Sequence, residues 1–170
     1  MAFSGQIRRH TYYEQVLKLY GITSAEDLVE GITAMHQDDI TVEIIAGASE
    51  TVKQLKDEGF ILGIITDTAM PFSKKLDWFD KHGFGRLWDS VISSREIGTC
   101  KPSPTMYQLA LEQTGVTPGE AVFVGHKGSE LDGARAMGLR TIGLHCDPEA
   151  LADIYIQDIR DLLRVPLLQE

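Results

Sequence analysis

Apolar residues recur along this chain with two different periods. Near the amino terminus, Tyr13, Val16, Leu17 and Tyr20 stand at helical spacing, which predicts a helix around residues 12–20 that stops at Gly21. Ser24, with Asp27 three residues on, is an acidic form of the capping box. It opens a second helix whose apolar stripe is Leu28, Ile32 and Met35. The first forty residues therefore predict a small helical hairpin.

From Val42 onward, short apolar runs alternate with helical segments. Ala48 to Glu58 presents Val52 and Leu55 on one face and ends at Gly59. Ile61–Ile65 is a continuous apolar run, the pattern of a strand buried on both faces. Phe72, Leu76 and Phe79 mark the next helix, stopped at Gly83. Ser103-Pro104 starts another, with Met106, Leu109 and Ala110 inside and Gly115 at its end. Ala121–Val124 predicts a second buried strand, followed by a helix through Leu131 and Ala134 to Gly138. Thr141–Leu144 predicts a third strand, Asp147-Pro148 a short helix, and Ile154–Ile156 a last edge strand. Such alternation implies an α/β fold, a parallel sheet with helices on both faces. Ligands of such sheets sit at the carboxyl ends of the strands.

Composition narrows the function classes. Sixteen Lys and Arg against 25 Asp and Glu leave a net charge of -9 over 170 residues. That balance repels phosphate backbones and anionic lipid, so neither a nucleic acid nor a membrane surface is an expected partner. No apolar run reaches the roughly 18–20 residues of a membrane span. The opening residues have no apolar stretch behind Arg8 and Arg9 and do not read as a signal peptide. Cys100 and Cys146 are too few for a disulfide framework, and two reduced thiols in a cytoplasmic protein are expected.

The chemistry-bearing residues gather at predicted strand ends. The first buried strand runs into Thr66-Asp67-Thr68, Lys101 stands just before a capped helix, and the second strand runs into Gly125-His126-Lys127-Gly128-Ser129-Glu130. A hydroxyl, an ammonium and a helix amino terminus at one sheet edge make a candidate anion site. A strand-end Thr is more often a cap and a lone Lys before Pro more often solvated, so order and spacing matter more than either residue. His126 with His145, Cys146 and Asp147 is a mixture that zinc accepts, although ordinary loop residues are the expected reading and zinc is not an expected cofactor.

The strings I-L-G-I-I-T-D-T, C-K-P-S-P-T-M-Y-Q-L-A-L-E-Q-T-G-V and A-V-F-V-G-H-K-G-S-E-L-D-G-A-R-A-M-G-L resemble the haloacid dehalogenase (HAD) superfamily in its phosphoglycolate-phosphatase-like branch. The similarity covers about residues 42 to 164, with residues 1–40 resembling part of the family's helical cap and 41–170 its Rossmann-like α/β core. The resemblance implies a phosphate site at Thr66, Asp67 and Lys101. It also implies an aspartate nucleophile, a second aspartate as acid and base, and Mg2+ held partly by the acidic fourth motif.

The chain departs from that pattern twice. No two aspartates stand at i and i+2, so the family's first motif is missing. The fourth motif has His126 and Glu130 where the family has two aspartates; Glu130 can still reach a metal, but imidazole suits Mg2+ poorly. Losing a nucleophile costs on the order of a million-fold in turnover. The expectation is a degenerate HAD-like protein without phosphatase activity, with no cofactor, kept for binding, regulation or assembly. The alternative is a truncated or split Mg2+-dependent phosphatase of small phosphomonoesters.

The missing motif also implies a missing strand. In the resembling family it lies between the strands bearing Thr66 and His126, and the first ten residues offer no apolar run to replace it. A buried strand brings four or five apolar side chains at about 1.5–3 kcal/mol each, comparable with a whole domain's stability of about 5–15 kcal/mol. The flanking strands are therefore expected to pair directly, or else a second copy, a separately encoded partner or a further amino-terminal piece to fill the slot, with a homo-oligomer or a protein partner the expected outcome.

Overall fold

The computed structural model describes residues 8–38 and 44–168. The expected absence of a strand in residues 1–10 falls mostly outside them, as do the boundary at 40/41 and the start of the core at Val42. Arg9–Leu19 (α1) and Ala25–Asp38 (α2) form the hairpin. Ser24 Oγ accepts the Asp27 N–H at 3.1 Å and donates to Asp27 Oδ2 at 2.6 Å, the capping contact read from the sequence. Tyr13 and Ile32 are the buried apolar residues of the hairpin, and the Tyr13 ring meets His36 edge-on at 4.9 Å.

Among the described residues, five short strands follow: Gly63–Thr66 (β1), Ser90–Ser93 (β2), Val122–Gly125 (β3), Arg140–Leu144 (β4) and Ile154–Ile156 (β5). Ala48–Asp57 (α3) precedes β1, and the α-helices between the strands are Phe72–Lys81 (α4), Ser94–Ile97 (α5), Pro104–Thr114 (α6) and Gly128–Ala136 (α7). Every strand pair is parallel, as expected of an α/β fold.

The strands nonetheless form two sheets, β1 with β2 and β3–β4–β5 in that order. The direct pairing of β1 with β3, one of the two expected outcomes, is not what the described residues adopt. Asp89 and Ser90 donate to the Leu62 carbonyl at 2.7 and 3.3 Å, so alternate residues of β1, Ile64 and Thr66, turn their main chain to β2. The N–H and C=O of Gly63 and Ile65 therefore face the other way. On the far side, Arg140 donates to Ala121 O at 3.2 Å, so Phe123 and Gly125 face β4 while Val122 and Val124 face outward. Two inner edges are left without a strand among the described residues.

Helices hold the half-sheets together. On one face Tyr107 and Leu111 of α6 and Ala134 of α7 pack with Ile65 of β1 and Phe123 of β3. On the other, α3 serves both halves: Ala48 and Val52 pack with Ile64 and Val91, and Leu55 packs with Ile142, Val122 and Leu62. Both gap-lining strands thus sit under the same two layers.

Two expectations need correction, and one strand was not expected. The first strand begins at Gly63 rather than Ile61, because Ile61 is 52% exposed and Leu62 gives its N–H to the Asp89 carboxylate at 2.8 Å instead of to a strand neighbour. Strand β2 had no apolar run to announce it: its two serines are buried, Ser90 donating to Gln113 Oε1 at 2.8 Å. Asp147-Pro148 forms a turn, its carboxylate spent on the Gly128 N–H at 3.1 Å instead of on a helix of its own.

Gly133 shows how tightly α7 is seated. A Cβ there would lie 2.8 Å from Pro102 Cβ and 3.0 Å from both Pro102 O and Tyr107 Oη. Alanine favours a helix interior by about 1 kcal/mol over glycine, while overpacking costs about 1–3 kcal/mol. Gly133→Ala is therefore expected to lower stability by about 1 kcal/mol in urea unfolding; a gain of the helix-propensity size would refute this close approach.

Candidate functional site

The gap opens at the carboxyl ends of β1 and β3, where most of the sequence-singled residues meet. Thr66 closes β1 opposite Ser93, and its hydroxyl has no hydrogen-bond partner among the described residues. Asp67 follows, its Oδ1 accepting the Lys101 N–H at 3.1 Å. The loop after it is pinned from α5: Thr68 N–H donates to Ser94 Oγ at 2.9 Å, and Arg95 Nη1 to Ala69 O at 2.6 Å.

Lys101 is the centre of the arrangement. Its Nζ donates to Ile65 O at 3.0 Å and lies 3.3 Å from Glu130 Oε2. Ile65 O is a gap-facing carbonyl of one half-sheet, and Glu130 stands in the first turn of α7, attached to the other. The lysine therefore spans the gap, with the Lys101 and Glu130 side chains only 12% and 7% exposed. Tyr107 of α6 ties the same turn by donating to Glu130 O at 2.8 Å.

Two further cations surround this pair. Lys127 Nζ is 3.8 Å from Glu130 Oε1. Lys75, in the first turn of α4, rests over the Trp78 ring at 4.7 Å, and burial together with the Lys101 charge pushes its pKa down. Lys75 was not legible in the sequence, since Lys74 beside it is equally basic but lies on the surface with Asp77 at 3.8 Å. Burial raises the Asp67 carboxyl above its ordinary value, outweighing the attraction of Lys101. Lys101 and Lys127 thus both face Glu130, while Asp67 accepts from the Lys101 main chain.

The donors do not suit a resident Mg2+. Both Glu130 oxygens already face ammonium groups, and His126 offers an exposed imidazole, a donor that suits Mg2+ poorly. His145 turns its Nε2 to the Gln157 carbonyl, and Asp147 N–H donates to His126 O at 2.9 Å. Among the described residues no three His, Cys, Asp or Glu side chains gather to hold a metal ion. Cys100 and Cys146 are both free thiols. No helix among the described residues is long and apolar enough to cross a membrane.

A parallel α/β sheet with its polar cluster at the strand ends defines a Rossmann-like class, and comparison with known proteins gives the family. The profile described as haloacid dehalogenase-like hydrolase matches residues 6–144, and the chain belongs to that family. It is 30% identical over 141 residues to a glyceraldehyde 3-phosphate phosphatase of Pyrococcus furiosus, covering 82% of this chain and 58% of the relative. It is 27% identical over 169 residues to a probable phosphoglycolate phosphatase of Pseudomonas putida, covering 95% and 64%. The chain thus spans about three fifths of the length of these curated relatives. A crystal structure of a predicted phosphoglycolate phosphatase from Haemophilus somnus superposes with a TM-score of 0.72 at 16% identity, over 96% of this chain and 80% of that one, a likeness of fold.

The raised Asp67 pKa has a consequence for stability. The folded state holds that proton more tightly than the unfolded chain, so ionising Asp67 removes stability as pH rises from 3.8 through the folded value. Asp67→Asn keeps the acceptor for the Lys101 N–H. It is expected to be more stable than the parent at pH 7, with the advantage fading as pH falls toward 3.8. Urea unfolding at the two pH values checks this; an Asn variant weaker at pH 7 would show the charge to be favourable there.

Proposed function

We propose that this chain, on its own, is a non-catalytic member of the HAD family with a binding or assembly role. One observation carries the reading: Lys101, the cation a phosphoryl group would need, is already bound to Glu130 and to Ile65 O. No aspartate pair at i and i+2 exists to supply a nucleophile with its acid and base. A metal would have to displace two ammonium groups from Glu130 and accept His126. The role left is recognition, through a weak anion site at Thr66, Asp67 and Lys101 and through inner sheet edges that a second copy or a protein partner covers. A cytoplasmic setting goes with this reading.

A second reading has a specific observation in its favour. Thr66, Lys101 and Glu130 meet at one mouth, and the longer relatives carry phosphatase names. The chain would then be the larger part of a truncated or split Mg2+-dependent phosphatase of small phosphomonoesters, its nucleophile supplied from outside these residues. His126 weighs against this, because an added strand does not restore that ligand.

Hydrolysis of p-nitrophenyl phosphate with Mg2+ separates the readings. The chain alone is expected to show no turnover above buffer, while calorimetry at low salt is expected to detect phosphate binding that Lys101→Ala removes. Turnover that Lys101→Ala abolishes would overturn the non-catalytic reading, and no phosphate affinity at low salt would remove the anion site.

A further inference from the structure

A groove of about 450 Å3 lies between α3 and the short 3-10 helix Ile159–Arg164, and it shares no lining residue with the strand-end cluster. That size falls within the roughly 300–1,000 Å3 of small-molecule sites. Glu50 stands on the α3 wall and Arg164 on the other, and among the described residues neither makes an ion pair. The neighbouring Arg160 is already spent: its Nε donates to Asp158 Oδ1 at 2.8 Å, and its Nη2 to Asp158 Oδ2. Thr51 lines the same groove, only 2% exposed, and its hydroxyl has no hydrogen-bond partner among the described residues. A buried hydroxyl left unpaired costs folding energy. We propose that this groove binds a free α-amino acid with an aliphatic side chain. Arg164 takes the carboxylate, Glu50 takes the ammonium, and the Thr51 hydroxyl donates to the carboxylate.

Charge sets the two polar ends of this ligand. With Asp158 neutralising Arg160, the walls carry one carboxylate and one guanidinium that leave each other unpaired. A ligand of zero net charge with separated ends satisfies both, whereas a simple anion would meet Glu50 and a simple cation Arg164. Glu50 stays ionised at neutral pH, because its own N–H and the Ser49 hydroxyl, donating at 3.0 Å, hold its carboxyl below the usual range. A planar guanidinium matches a carboxylate with two parallel bonds. The aliphatic side chain follows from Leu163 and from the stem of Arg160. That stem lies over Gly47, where a Cβ would fall 3.2 Å from both Arg160 Cγ and Cδ. The groove and the anion site at Thr66, Asp67 and Lys101 have no residue in common, so each stands or falls alone.

The probe is L-leucine, titrated into the full chain and followed by calorimetry and by amide NMR spectra. Saturable binding at millimolar L-leucine is expected, with shifts at Thr51 and Arg164 and none at Thr66 or Lys101. L-Leucinamide lacks the carboxylate and isocaproate lacks the ammonium, and each is expected to bind about ten-fold more weakly. Arg164→Gln is expected to erase the preference over L-leucinamide, and Glu50→Gln the preference over isocaproate. Both side chains are exposed, so neither substitution disturbs the fold. Thr51→Val removes an unpaired hydroxyl, so it is expected to weaken L-leucine while leaving stability in urea unchanged or raised. No saturation at millimolar L-leucine, or preferences that survive these substitutions, overturns the proposal. Shifts at Thr66 and Lys101 instead of Thr51 and Arg164 overturn it as well, because they place the amino acid at the strand ends.

Discussion

A single ammonium group joins two half-sheets whose strands do not meet. Lys101 reaches from the start of α6 to a carbonyl of β1 and to a carboxylate on α7, so it bonds to both sides of the gap. The pair it makes with Glu130 is nearly dry, and breaking a buried pair by removing one partner costs about 3–5 kcal/mol. A buried carbonyl left unpaired adds to such a cost. Thr66, Asp67 and the loop pinned by Ser94 and Arg95 take their places around this bridge.

The gap persists because the helix layers do not need it closed. Leu55 of α3 and Tyr107 of α6 sit in cores that draw on both half-sheets, one on each face. Closing β1 onto β3 would shift one half-sheet under both layers. The seat of α7 against Pro102 and Tyr107, where Gly133 leaves no room for a methyl group, resists such a shift. Layer packing on both faces keeps the two half-sheets in a parallel α/β arrangement across the gap.

Much of this was legible in the residues, for physical reasons. The Ser24 cap, the Ser103-Pro104 start of α6 and the glycine stops are local signals that tertiary packing did not override. Asp67, Lys101 and Glu130 lie together beside the end of β1 because parallel strands bring their carboxyl ends to one side. Strand β2 was invisible because Ser90 and Ser93 are polar side chains inside the core, satisfied or tolerated there by tertiary contacts. The helix expected at Asp147 failed because its carboxylate found a better partner in a different loop. The bridging role of Lys101 could not be read at all, since sequence spacing says nothing about which carbonyl lies unpaired across a gap.

Amide hydrogen exchange on the dilute, monomeric chain tests the open gap most directly. The N–H groups of Ile64 and Phe123 point into the ladders with β2 and β4, whereas those of Gly63, Ile65, Val122 and Val124 point into the gap. The account predicts strong protection of the first set and fast exchange of the second within the same strands. Equal protection of both sets in the monomer would mean that β1 and β3 are paired or otherwise covered, and would contradict it.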